Sequence, residues 1–108
     1  MGKFAVGEIV LVSFPFSNLQ GQKIRPALVV AKVEFDNVTL CQITSKPYSS
    51  KSSVRIDHSS FTTGKLTVVS YVRPDKLFTT DSSIIRNSAG RLTTAKINII
   101  LKSIRALF

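Results

Sequence analysis

The residue best suited to chemistry in this sequence is Arg25, which stands directly before Pro26 at the start of an apolar run that ends at Val33. Proline fixes its own φ angle and biases the preceding residue toward an extended backbone. The pair therefore predicts a guanidinium held at the mouth of a buried strand. Because a planar guanidinium fixed in this way binds phosphate oxygens in a bidentate manner, Arg25 is our first candidate for phosphate contact.

Two further sets of polar side chains lie near the ends of predicted strands. The first set comprises Thr44, Ser45 and Lys46, and the second contains Arg73 and Asp75. Taken singly, each has an ordinary structural explanation, since hydroxyl side chains begin turns and an exposed Arg–Asp pair contributes little to stability. Their chemistry becomes specific only if the fold brings them close to Arg25.

Residue counts exclude several other kinds of site. With His58 as its only histidine, one subunit cannot build a two-imidazole ribonuclease mechanism or a His-rich metal site. We interpret His58, beside Asp57, as a solvated loop or capping residue. Cys41 lies inside an apolar stretch without an adjacent base and is interpreted as a small buried hydrophobe. The six carboxylates are scattered, so we predict no metal site and no cofactor.

The charge of the chain indicates a polyanionic partner. It carries 15 Lys and Arg against 6 Asp and Glu, a net charge of +9. Such an excess attracts polyanions and makes their binding strongly dependent on salt. Nucleic acid or an acidic protein segment is therefore the expected partner, although a basic surface without special function remains an alternative. The charge does not distinguish an enzyme from a passive binder.

Length and composition predict one domain over residues 1–108. The chain is 44% hydrophobic, which is enough for a full core, but no apolar run approaches the length of a membrane span. We expect no membrane association and no signal peptide. A single cysteine excludes an internal disulfide and fits a reducing, cytoplasmic environment.

Apolar, β-branched stretches predict consecutive short strands at residues 8–14, 25–33 and 38–44. Their near-continuous apolar character indicates burial on both faces, as in a small closed barrel. Residues 45–53 predict an exposed basic loop, followed by a short strand at 54–57. Residues 66–72 predict another strand, broken by Pro74, and residues 76–85 continue the extended pattern.

Helical spacing appears only near the carboxyl end, from Ala95 onward, with Thr93 as the expected N-cap. The apolar positions that define it are Ile97, Ile100, Leu101, Ile104, Leu107 and Phe108. The fold class predicted is thus mainly β, a small barrel with one C-terminal helix packed on it.

The segment from Phe14-Pro15-Phe16-Ser17 through Lys23-Ile24-Arg25-Pro26 resembles the opening of the PemK/MazF family of toxins, and the order of strands and helix extends the likeness over nearly the whole chain. The resemblance implies an SH3-like barrel and a toxin of a type II toxin–antitoxin system. Such a toxin cleaves single-stranded RNA by metal-independent attack of a ribose 2′-hydroxyl, acts as a homodimer and is silenced by an acidic antitoxin.

Carried over residue by residue, the resemblance implies Arg25, Thr44 and Asp75 as catalytic residues, with Asp75 as the candidate side-chain base. The residues that it implies for substrate binding are Ser17, Asn18, Lys23, Ser45, Lys46 and Arg73. The assignment of general acid and general base stays open. Two other functions also stay open, a non-catalytic nucleic-acid-binding barrel and a gyrase inhibitor resembling the CcdB toxins. Against the binding barrel, most aromatic residues lie in core-like contexts and offer no stacking platform.

Overall fold

A computed structural model describes residues 4–15, 22–47 and 51–108, and at positions 14, 15, 22 and 23 it describes the backbone alone. Within these residues seven strands precede one helix. The strands are β1 (Glu8–Pro15), β2 (Gln22–Val33), β3 (Asn37–Thr44), β4 (Val54–Ile56), β5 (Phe61–Gly64), β6 (Ser70–Asp81) and β7 (Ile85–Leu92), and the helix is α1 (Thr94–Ala106).

The strands form one antiparallel sheet in the order β4-β6-β3-β2-β1-β7-β5. Its two edge strands, β4 and β5, both contribute to the core beneath α1, because Ile56 and Phe61 pack in the same cluster. The sheet is therefore strongly curled, as an open barrel. The expected class, mainly β with one C-terminal helix, is confirmed.

Both faces of the central strands are buried, as their apolar sequences predict. The core against α1 contains Ile9, Leu28, Cys41, Ile43, Val72, Ile97 and Ile100. The core on the opposite face contains Val10, Val12, Ala27, Val29, Leu40 and Ile85. Because side chains alternate between the faces of a strand, neighbouring residues of β1, β2 and β3 feed different cores.

The helix begins where the sequence predicts. Thr93 is its N-cap, and the Thr93 hydroxyl accepts a hydrogen bond from the backbone N–H of Lys96 at 3.2 Å. Ile97 and Ile100 are its buried residues. At 13 residues α1 is too short for a bilayer, and no helix in the described ranges has the length and apolar character to cross one.

Two parts of the sequence prediction are wrong. Residues 66–69 form a loop, and the strand expected there begins only at Ser70. It then continues through Pro74 to Asp81, because Pro74 lies at an irregularity of the β3–β6 ladder, where the missing proline N–H breaks no regular hydrogen bond. The strands β5 and β7 were not predicted, since β5 has only 4 residues and Gly90 within β7 reads as a break.

Candidate active site

A cleft of about 340 Å³ opens at one end of the curled sheet. Arg25 of β2 and Thr44 at the end of β3 line it, together with Ser45. The loop of residues 66–69 forms the opposite wall through Leu66, Thr67 and Val68. Hydroxyl groups and one guanidinium thus share a surface with an apolar lining, which suits a ligand carrying both a phosphate and a base.

The register of the sheet explains why Arg25 and Thr44 meet. Arg25 pairs with Val12 of β1, and two residues further along β2, Ala27 pairs with Gln42 of β3. Continuing that antiparallel register by two residues brings Arg25 level with Thr44. The Nε atom of Arg25 is sealed from solvent, so this part of the side chain lies inside the protein.

Thr44 is held by a local turn. Its hydroxyl oxygen accepts a hydrogen bond from the backbone N–H of Lys46 at 3.1 Å, and Thr44 is the last residue of β3. Ser45 follows it, exposed, in the same cleft. The Thr44 O–H hydrogen remains able to donate to a ligand, because its oxygen acts as the acceptor in that turn.

Arg73 and Asp75 form a bidentate ion pair close by on β6. The Nη2–Oδ2 distance is 2.8 Å and the Nε–Oδ1 distance is 3.3 Å. The pair lies in the irregular stretch of β6, between the pairs Ile43–Val72 and Cys41–Leu77. Four residues of β6 there oppose a single residue of β3. This bulge is fixed from beneath by the Cys41 thiol, which donates a hydrogen bond to the Arg73 carbonyl oxygen at 2.8 Å.

The structure therefore brings together part of the expected set. Arg25, Thr44 and Ser45 line one cleft, whereas Lys46, Arg73 and Asp75 do not line it. Ser17 and Asn18 lie outside the described residues, and so does the side chain of Lys23. Among the described residues that line the cleft there is no carboxylate or imidazole.

Sequence reasoning missed two features of this region. The 66–69 wall was interpreted as part of a strand, and only the exposure of Val68 in the folded chain reveals it as a loop. Tyr71 is half-buried and pairs with Thr44 across the β3–β6 ladder. Phe35 and Phe108, at 89% and 91% exposure, also lie outside the core-like contexts expected for most aromatic residues.

The two other candidate side chains have the structural roles that we expected. His58 is exposed and begins a short 3-10 helix that Asp57 caps. Cys41 is fully buried, and burial, more than the charge of Asp75, raises the pKa of its thiol to about 12. The described residues contain no group of three or more His, Cys, Asp and Glu side chains placed to hold a metal ion.

Comparison with known proteins agrees with the family resemblance of the sequence. Residues 5–108 match the family model described as PemK-like, MazF-like toxin of type II toxin–antitoxin system. No individual curated protein matches the sequence.

Solved structures show the same fold at low sequence identity. The structure of MazE–MazF from Deinococcus radiodurans superposes with a TM-score of 0.74 at 18% identity and covers 94% of this chain and 92% of that chain. An endoribonuclease from a mycobacterial species has a TM-score of 0.72 at 17% identity and covers 98% of this chain and 91% of its own. The toxin MazF-mt6 of Mycobacterium tuberculosis has a TM-score of 0.70 at 19% identity and covers 92% of this chain and 93% of its own.

Proposed function

This chain belongs to the PemK-like, MazF-like toxins of type II toxin–antitoxin systems, and from that premise we propose that it is an endoribonuclease that cuts single-stranded RNA without a metal ion. The observation that carries the proposal is the shared cleft of Arg25, Thr44 and Ser45. Their meeting in one cleft supports a common role.

The proposed reaction uses a nucleophile that the substrate already carries. The ribose 2′-hydroxyl gives up its proton to a base and attacks the adjacent phosphorus, and a 2′,3′-cyclic phosphate forms. The bond to the 5′-oxygen of the next nucleotide breaks, and that oxygen takes up a proton from a general acid or from water to become a 5′-hydroxyl. The pentavalent transition state bears more negative charge than the phosphodiester. A fixed guanidinium and hydroxyl donors stabilise that charge more than the ground state, so they accelerate the reaction.

Within this mechanism Arg25 contacts the phosphoryl oxygens, and Thr44 donates a hydrogen bond to them with Ser45 beside it. The backbone bond from Lys46 fixes the Thr44 side chain in position. Asp75 remains our proposed general base. Its ion pair with Arg73 fixes the position of the carboxylate. Asp75 does not line the cleft, so we place the 2′-hydroxyl at the β6 side of the cleft.

The partners we propose follow from charge and from relatives. A net charge of +9 favours RNA as substrate and an acidic antitoxin segment as inhibitor. One structurally similar mycobacterial endoribonuclease was solved in complex with its cognate antitoxin, with a TM-score of 0.70 at 17% identity. We propose the same kind of complex for this chain, and a homodimer that forms one groove from two clefts.

The direct test uses a labelled single-stranded RNA and a DNA of the same sequence, each incubated with purified protein in EDTA. We expect fragments from RNA alone. An Arg25→Ala protein that still folds is expected to give none, while Arg86→Ala, an exposed arginine on β7, keeps full activity. Equal cleavage by Arg25→Ala would show that this cleft is not the site. Binding of RNA without cleavage by the unaltered protein would indicate a non-catalytic binder.

A further inference from the structure

We propose that Tyr71 and Arg55 form a second nucleotide subsite beside the Arg25–Thr44 cleft, in which the Tyr71 ring stacks on an RNA base and Arg55 contacts its phosphate. The inference rests on the proposed function for the identity of the ligand as RNA.

The register places four side chains in one row across the sheet. Thr44 of β3 pairs with Tyr71 of β6, and Tyr71 also pairs with Arg55 of β4. Arg25 continues the row on the other side of Thr44, as described above. Residues paired across antiparallel strands point to the same face, with Cβ atoms about 5 Å apart.

That face is the one turned away from α1. The residues next in sequence to this row, Ile43, Val72 and Val54, all pack in the core against α1, so Thr44, Tyr71 and Arg55 point the opposite way. On that face the central strands carry the second apolar core, but at this end of the sheet the row is polar and aromatic. A polar row at the end of an apolar face is typical of a binding surface.

Tyr71 is available to a ligand. It is half-buried, so part of its side chain remains accessible. The many hydrogen bonds identified among the described side chains include none from the Tyr71 hydroxyl. Every base has a π face, and stacking on an aromatic side chain is a frequent means of holding single-stranded nucleic acid.

Arg55 supplies the positive charge at the end of the row. Its side chain is 58% exposed and its Nη1 atom lies 2.6 Å from Oδ2 of Asp57. Asp57 is itself fixed, since it accepts hydrogen bonds from the N–H and the hydroxyl of Ser59. These bonds, with the hydroxyl of Ser59 foremost, lower the pKa of Asp57 and keep it anionic beside Arg55. The carboxylate orients the guanidinium and leaves part of its donor edge exposed.

The spacing of the row suits consecutive nucleotides. The backbones of Arg25 and Arg55 are separated by β3 and β6, hence by three strand spacings, or about 14 Å along the sheet. From backbones that far apart, the two guanidinium groups contact different phosphates of one extended strand. Tyr71, between them, lies where the base of the intervening nucleotide would stack. The row thus predicts a stacked base at the nucleotide next to the scissile linkage.

The experiment uses a fully 2′-O-methylated oligonucleotide, which cannot be cut by internal attack, with 2-aminopurine placed at one position after another. We expect fluorescence quenching at one position in the unaltered protein. Tyr71→Leu is expected to abolish that quenching and to weaken binding roughly five- to 150-fold. Tyr71→Phe, which keeps the ring, should retain both. Persisting quenching and affinity in Tyr71→Leu would overturn the subsite, whether or not the protein cleaves RNA.

Arg55→Ala tests the proposed phosphate contact independently of Tyr71, because Arg55 is exposed and its removal leaves the core intact. We expect the slope of log K against log salt to fall by about one, with no such change in Arg86→Ala. Equal slopes in the two variants would contradict the phosphate contact. If Tyr71→Leu and Arg55→Ala lose binding while no protein cuts unmodified RNA, the subsite stands and the proposed activity fails.

Discussion

At the scale of single residues, the proposed cleavage of RNA depends on the guanidinium of Arg25. Its Nε atom is buried and its position in β2 is set by the pairing with Val12 and by Pro26. A lysine at this position keeps the charge but loses the planar fork. The two functions of Arg25, attraction of RNA and stabilisation of the transition state, can therefore be separated by substitution.

We expect Arg25→Lys to bind non-cleavable RNA nearly as well as the unaltered protein but to cleave RNA on the order of a hundred- to thousand-fold more slowly, because a preorganised transition-state donor is lost. Single-turnover cleavage and binding of a 2′-O-methylated oligonucleotide measure the two effects. Near-normal cleavage by Arg25→Lys would show that Arg25 acts only by attraction.

Cys41 gives a prediction about pH. Its thiol has an ordinary pKa of 9.0, raised in the folded protein to about 12, mainly by burial. The unfolded thiol therefore ionises above pH 9 while the folded thiol stays neutral, so the free energy of unfolding falls as pH rises through this window, by up to about 1.4 kcal/mol per pH unit.

Urea unfolding at pH 8 and pH 10 tests this effect. The decrease in stability between the two pH values should be about 1 kcal/mol larger for the unaltered protein than for Cys41→Ala, in which no thiol titrates. The variant corrects for every other group that ionises in this range. The same decrease in both proteins would mean that the thiol is not protected by the fold.

Much of the residue-level picture was accessible from the sequence. Arg25 could be identified because Pro26 and the following β-branched run determine its backbone locally. Tyr71 could not, because its partners Thr44 and Arg55 are distant in the chain and meet it only through the register of β3, β6 and β4. Local patterns identify a residue's chemistry, whereas its neighbours depend on long-range pairing.

At the scale of elements, the close approach of β5 and β7 is the feature on which the cleft wall depends. Gly64 and Gly90 are paired in register, with φ angles of 73° and 155°. A Cβ atom at Gly90 would clash with the carbonyl oxygen of Thr63. The loop of residues 66–69 leaves β5 immediately afterwards, and Lys65 donates a backbone hydrogen bond to Ala89.

We therefore expect Gly90→Ala to lower the free energy of unfolding by roughly 1–3 kcal/mol, the usual range for strain of this kind. Asn87→Ala, at an exposed position of the same strand, should change it little. Chemical denaturation of the two variants gives the comparison. If they were equally stable, the tight pairing of β5 and β7 would be wrong.

The elements show why sequence prediction succeeded in one half of the chain. The long strands β1, β2 and β3 and the helix α1 carry continuous or periodic apolar patterns that extend over many residues. The strands β5 and β7 are short or glycine-containing, and only their mutual pairing makes them strands. The bulge of β6 at Pro74 is likewise decided by its partner β3.

At the scale of the whole molecule, the proposed groove requires two subunits. Each cleft alone is small, and apolar side chains are exposed on α1 and just after it, with Ile99 at 50% and Leu107 at 47% exposure. We expect static light scattering at micromolar concentration and moderate salt to give twice the mass of one chain. A monomer under these conditions would remove the shared groove.

We propose that the 2′-hydroxyl of the substrate is the nucleophile and that the Arg25–Thr44 cleft stabilises its attack. The most direct test of this mechanism uses an RNA with a single 2′-O-methyl group at the scissile nucleotide. It is incubated with the protein in EDTA and compared with the unmodified RNA. We predict that unmodified RNA yields a 2′,3′-cyclic phosphate and a 5′-hydroxyl end, whereas the methylated linkage stays intact although the RNA still binds, since phosphate contacts supply most of the affinity. Cleavage at the methylated linkage, or a requirement for added magnesium, would contradict internal attack.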